Sequence, residues 1–110
     1  MRMFDELHGI VRRDYEEFSG IAMERYFHAK FTEEHAYSRL GGWWDRKGDN
    51  KIDLIGENEF KGTLDFFEVK RDARRFDINQ LQRKATAFFE KNPALQGREV
   101  RFGGLSLENM

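Results

Sequence analysis

Three residues inside apolar runs open the chemistry of this chain. The segment "IDLIGENEFKGTLDFFEVK" runs from Ile52 to Lys70, and it places Asp53, Glu68 and Lys70 where a strand should be burying itself. Alternate side chains of a strand share a face, so Glu68 and Lys70 point one way and Val69 the other. Pairing through the turn near Asn58–Lys61 brings Asp53 opposite Glu68 within a few residues of register. Two adjacent carboxylates repel, and burial makes their ionised forms dearer still. A divalent cation relieves both effects. Mg²⁺ takes one or two protein carboxylates, keeps several waters and accepts phosphate oxygens. Asp53, Glu68 and the backbone carbonyl of Val69 are the candidate ligands, with Mg²⁺ or Mn²⁺ as the cofactor. Such an ion activates water and neutralises charge on a phosphodiester. Lys70 is placed to hold the attacking water or steady the developing charge. The same pattern also describes a plain Glu–Lys ion pair on a solvated strand face, worth about 0–1 kcal/mol, and E-x-K alone decides nothing.

The elements that must position these groups follow from periodicity. Leu7, Ile10, Val11, Tyr15 and Phe18 have helical spacing, and Ser19-Gly20 is expected to interrupt it, with Ser19 as N-cap of a second helix. That helix, with Ile21, Met23, Phe27 and Phe31 near one face and Ala22 and Tyr26 beside them, is expected to end near Glu33. From Tyr37 the period changes. "YSRLGGWWDRKG" reads as a strand bent or bulged at Gly41-Gly42. One of Trp43 and Trp44 must face each side of that strand, so at least one belongs to the core. "KGDN" and "ENEFKG" are turns joining "KIDLIGE" and "TLDFFEVKR" into an antiparallel meander. The apolar "LDFFEV" is expected to lie centrally in the sheet. A polar loop, "DARRFD", follows. Asp77 then caps a helix from about Ile78 to Lys91 that faces the core with Ile78, Leu81, Ala85, Phe88 and Phe89, and Asn92-Pro93 stops it. "REVRFGGLSL" is the last strand, with a bulge expected at Gly103-Gly104. The expected fold is α/β: an αβββαβ sandwich, its mixed central sheet flanked by helices, with an extra N-terminal helix.

Length and composition set the outer bounds. A chain of 110 residues favours one domain, and its 11 Phe, 2 Trp and 3 Tyr supply enough apolar area for a core. The net charge of -1 argues against a protein that coats nucleic acid or membrane in bulk, though it permits a local basic patch. There is no Cys, so disulfides and thiolate metal sites are excluded. The N-terminal stretch alternates charged and apolar residues unlike a signal peptide, and no apolar run approaches a membrane span. A cytoplasmic location is the expectation.

An Asp on one strand and E-x-K on the next, in an αβββαβ frame, resembles the PD-(D/E)XK nuclease superfamily, which includes restriction endonucleases and Holliday-junction resolvases. More closely, "FSGIAMERYF", "GGWWDRKGDNKIDLIGEN" and "FFEVKR" resemble the domain of unknown function at the C-terminus of many prokaryotic AAA/STAND-type ATPases, over Phe18 to the end. The resemblance implies a restriction-endonuclease-like fold and a metal-dependent nuclease-like domain acting on DNA, or else a catalytically silent module that binds nucleic acid or protein and regulates an ATPase. It implies catalytic roles for Glu24, Asp53, Glu68 and Lys70, and for Gln82 in preference to Gln80. Ile52 stands where the motif has Pro. It also divides the chain into residues 1–17, a connecting helix or tail of a preceding domain, and residues 18–110, the nuclease-like domain. With no G-x-x-x-x-G-K-[ST] loop present, any ATPase partner is another domain or chain. Under this resemblance Arg71, Arg74 and Arg75 meet backbone phosphates; read by themselves they form a solvated loop offset by Asp72 and Asp77. His28 lies one helical turn from Glu24 and reads as a surface or partly buried residue.

Overall fold

The computed structural model describes residues 12–48 and 50–110. Helix α1 (Arg12–Glu33) leads into strands β1 (Arg39–Trp44), β2 (Lys51–Asn58) and β3 (Thr63–Val69). Helix α2 (Ile78–Lys91) and strand β4 (Glu99–Leu105) complete the core, and single 3-10 turns occupy Ala73–Arg75, Pro93–Leu95 and Leu107–Asn109. The sheet order is β1-β2-β3-β4, with β1–β2 and β2–β3 antiparallel and β3–β4 parallel. This is the expected mixed α/β sandwich, and Glu68 lies on an interior strand.

The two helices cover opposite faces. Met23 and Phe27 of α1 pack with Leu54, Val69 and Leu105, flanked by Phe31, Leu40 and Phe67. Leu81, Ala85 and Phe88 of α2 pack with Ile52, Ile55, Leu64 and Phe66. β3 is therefore buried on both faces, which accounts for its nearly unbroken apolar sequence. Phe66 is fully buried and meets Phe88 and Phe89 edge-on and Phe102 face to face.

Several expectations are corrected. Ser19-Gly20 does not interrupt the helix, and Ser19 is an interior position and not an N-cap, because α1 runs unbroken for 22 residues. A mid-helix Gly costs only about 1 kcal/mol against Ala, less than the downstream packing of Met23 and Phe27 returns. Leu7, Ile10 and Val11 lie outside the described residues. Ile21 and Ile78 are not core: they are 41% and 45% exposed. Trp43 packs edge-on against Phe88, while Trp44 is 67% exposed, so the Trp pair divides between core and solvent. The irregularity between Gly41 and Trp43 is present as expected. No bulge occurs at Gly103-Gly104, since β4 pairs with β3 in unbroken register. Those glycines answer close approach instead: a Cβ on Gly104 would lie 2.8 Å from the Phe76 ring. Asp77 does cap α2, accepting hydrogen bonds from the Asn79 and Gln80 amides.

Candidate functional site

β2 alternates irregularly, and Asp53 sits at the irregularity. Ile52 joins the α2-side cluster and Leu54 the α1-side cluster, although residues two apart on a regular strand share a face. Across from this point β1 shifts register between Gly41 and Trp43. The β2–β3 ladder ends at Leu54↔Phe67, one residue short of Asp53 on β2 and of Glu68 on β3. There the Asp53 carboxylate takes the place of a backbone partner: its Oδ2 accepts a 2.7 Å hydrogen bond from the Val69 amide. The side chain is thereby fixed at the C-terminal end of β3.

Lys51 and Glu24 join Asp53 in one charged group. Lys51 Nζ lies 3.0 Å from Glu24 Oε1 and 3.6 Å from Asp53 Oδ1. Two carboxylates thus share one ammonium. Burial, abetted by the Asp53 charge, pushes the Glu24 carboxyl above its usual range despite the Lys51 bond. Burial works against the Lys51 ammonium, but the Glu24 bond and both carboxylate charges outweigh it and raise its pKa.

Glu68 heads a second charged group. It is 3% exposed. Its Oε1 faces Lys70 Nζ at 3.1 Å and Lys84 Nζ at 3.9 Å. Its Oε2 is buried with no hydrogen-bond partner among the described residues. A buried acceptor left unmade costs about 1–3 kcal/mol, and a water or a cation would each satisfy it. Lys70 follows directly after β3, and its own amide extends the parallel ladder by bonding the Leu105 carbonyl. A cavity of about 580 Å³ opens beside it, at the C-terminal end of β3, with Lys70, Arg71 and Arg75 on its walls and Asp72 and Glu108 opposing them. Crevices at the carboxyl ends of parallel strands are where open α/β sheets bind ligands.

The structure joins Glu24 and Asp53 through Lys51, with Asp53 bonded to the Val69 amide, and joins Glu68 to Lys70 and Lys84, the two groups lying at neighbouring positions of β2 and β3. It separates the others. Gln82 is exposed on α2. Two residues, roughly 200° of helix rotation, part it from Lys84, the α2 residue that reaches Glu68. Arg74 is 91% exposed and forked onto Asp72, whose carboxyl it holds below the usual range. Arg71 and Arg75 remain at the cavity. His28 is exposed. The residues missed by sequence reasoning are Lys51 and Lys84. Lys51 had a signal, standing two positions before Asp53 on one strand; Lys84 had none, lying 14 residues beyond Lys70 on a helix.

Among the described residues no three His, Cys, Asp or Glu side chains converge as a ready-made metal site. Mg²⁺ does not require three, because one or two carboxylates suffice when water and phosphate complete its shell. Glu68 Oε2 is an anionic oxygen of the kind a hard cation takes, while the Asp53 oxygens face the Val69 amide and Lys51. A model of a family of archaeal and bacterial proteins of unknown function, DUF234, matches residues 2–86. The chain belongs to this family. The DUF234 match contains Glu24, Lys51, Asp53, Glu68, Lys70 and Lys84, so the charged cluster lies within the family's own span. No curated protein and no solved structure matches the chain.

Proposed function

We propose that this DUF234 chain carries a metal-dependent phosphodiester-cleaving site of the PD-(D/E)XK kind, acting on DNA and working with an ATPase domain in the same or another chain. The observation that carries the reading is Glu68: a buried carboxylate on a central strand, with one oxygen faced by lysines and the other bare. Asp53 and Glu68, with the Val69 carbonyl, would hold Mg²⁺ or Mn²⁺, which when bound supplies Lewis acidity and an activated water. The chain's own groups do the rest. The Val69 amide and Lys51 fix the Asp53 carboxylate from two sides. Glu24 holds Lys51 in turn. Lys70 keeps a partly exposed ammonium beside Glu68 and at the cavity, placed to orient water or a phosphate oxygen. Arg71 and Arg75 supply sequence-independent attraction for backbone phosphates.

One observation favours a second reading, a nucleic-acid- or protein-binding module that does not cut. Each carboxylate already has an ammonium group within 4 Å without a cation: Glu24 and Asp53 share Lys51, and Glu68 has Lys70 and Lys84.

Cleavage of plasmid and branched DNA with Mn²⁺, by wild type, Lys70→Ala and Glu68→Ala, separates the two. The nuclease reading expects Glu68→Ala to be inactive and Lys70→Ala to be slower by about 10²–10³, the usual loss for one electrostatic donor. Equal cleavage by all three would mean a contaminant and would sink the reading. No cleavage, with DNA retained in a gel shift, would favour the binding module.

A further inference from the structure

The E-x-K pattern supplies one lysine to Glu68, but the fold supplies two. Lys84 comes from the helix on the α2 side of the sheet, its side chain only 19% exposed, and its Nζ lies 3.9 Å from the same oxygen that Lys70 faces. Lys70, at 38% exposure and outside any helix, has freedom to turn toward a substrate. Lys84 is held by its helix, whose Leu81, Ala85 and Phe88 are packed into the core.

We propose that Lys84 is an internal counterion which competes with a divalent cation for Glu68, so that the cation binds weakly until an anionic phosphodiester enters with it. The proposal rests on the metal-dependent reading above. Its basis is charge. Glu68 alone already has two ammonium groups within 4 Å, those of Lys70 and Lys84. A divalent ion on Glu68 Oε2 would add two positive charges to a carboxylate whose other oxygen already faces both lysines. Like charges so close disfavour one another strongly where water is excluded. Each phosphate of a nucleic acid returns one negative charge, and Lys70 is free to follow it. Cation and phosphodiester then bind with positive coupling, and linkage requires each to strengthen the other equally. Lys84 is a positioning residue in this scheme, acting through Glu68.

The test is Mn²⁺ titration calorimetry on the full chain, with wild type, Lys84→Met, Lys84→Gln and Lys84→Arg. Each is measured with and without a phosphorothioate oligonucleotide, which keeps the charge and resists cleavage. Circular dichroism verifies the fold; Met keeps the packed stem of Lys84, and Gln is the alternative should Met disturb it. Without oligonucleotide, Lys84→Met and Lys84→Gln are expected to bind Mn²⁺ at least about tenfold tighter than wild type, within the usual range of coupling between sites. Lys84→Arg should match wild type. The oligonucleotide should tighten Mn²⁺ binding in wild type more than in Lys84→Met. A merely structural lysine predicts the reverse, weaker binding once Glu68 is no longer held, and that result would overturn the proposal. Equal affinities in all four would overturn it alone and leave the metal site standing. Absence of Mn²⁺ binding from all four would overturn both together.

Discussion

Asp53 performs two tasks that substitution can separate. Its carboxylate caps the Val69 amide and also carries charge beside Lys51. Asn retains an acceptor for the amide and discards the charge. Asp53→Asn should therefore change stability by less than about 1 kcal/mol in urea titration, while Asp53→Ala, which leaves the Val69 N–H without its partner, should cost about 1–3 kcal/mol. Both should lose Mn²⁺ binding. Glu24 adds a pH signature. Burial raises its pKa in the folded chain above the ordinary 4.5. Between those two values the folded chain keeps a proton that the unfolded chain has released, so stability falls as pH rises through the window. The stability difference between wild type and Glu24→Gln should accordingly decline as pH increases from 4.5, and level off once the folded carboxyl has ionised. Thermal melts at closely spaced pH values measure it; a flat difference curve would contradict the shift.

At the scale of elements, another buried carboxylate ties β3 to β4 and to the segment that follows α1. Asp65 on β3 receives a bidentate Arg101 fork at 2.6 and 2.8 Å and the Tyr37 hydroxyl at 2.7 Å. Burial and the Asp65 bond together raise the Tyr37 pKa, so the phenol stays protonated as donor. This bond lays the Tyr37 ring over Gly56 of β2, where any Cβ would sit 2.6 Å from ring carbons. The ring is also boxed by Phe31 and Phe67. It has no room to retreat without giving up the Asp65 bond. Gly56→Ala should therefore destabilise by about 1–3 kcal/mol, the usual overpacking cost. Tyr37→Ala in the same background should remove most of that increment, and urea titration of the four proteins reads the coupling directly.

Over the whole molecule, stability and the candidate site draw on one strand. β3 presents Phe66 to the α2-side cluster and Glu68, two residues on, to Lys70 and Lys84. Phe66→Ala should cost about 3–5 kcal/mol, as truncation of a buried aromatic does. Phe60, fully exposed in the β2–β3 turn, should tolerate Ala within about 0.5 kcal/mol. The contrast, read from urea midpoints, tests whether the core is the one described. No helix among the described residues is long and apolar enough to cross a membrane.

The sequence by itself determined the order of elements, the mixed sheet and the first members of the cluster. Those rest on local rules: strand alternation, turn residues between Asn58 and Gly62, the Asp77 cap, and the oddity of Asp53 and Glu68 within apolar runs. Where local rules compete with packing, they misled. Ser19-Gly20 reads as a break, yet α1 passes through it; Ile78 keeps the helical period, yet lies at the rim of the sheet and meets solvent. Only the tertiary structure decided which cations meet Glu68 and which of its oxygens stays bare. Lys84 reaches Glu68 because α2 crosses back over β3 after the chain has left the strand, and no spacing rule in the sequence encodes that crossing angle. The helical period places Gln82 on a face with Ile78, Ala85 and Phe89, of which only Ala85 is buried. That flank of α2 lies away from the stripe carrying Lys84, because the buried positions Leu81, Ala85 and Phe88 fix the rotation of the helix on the sheet.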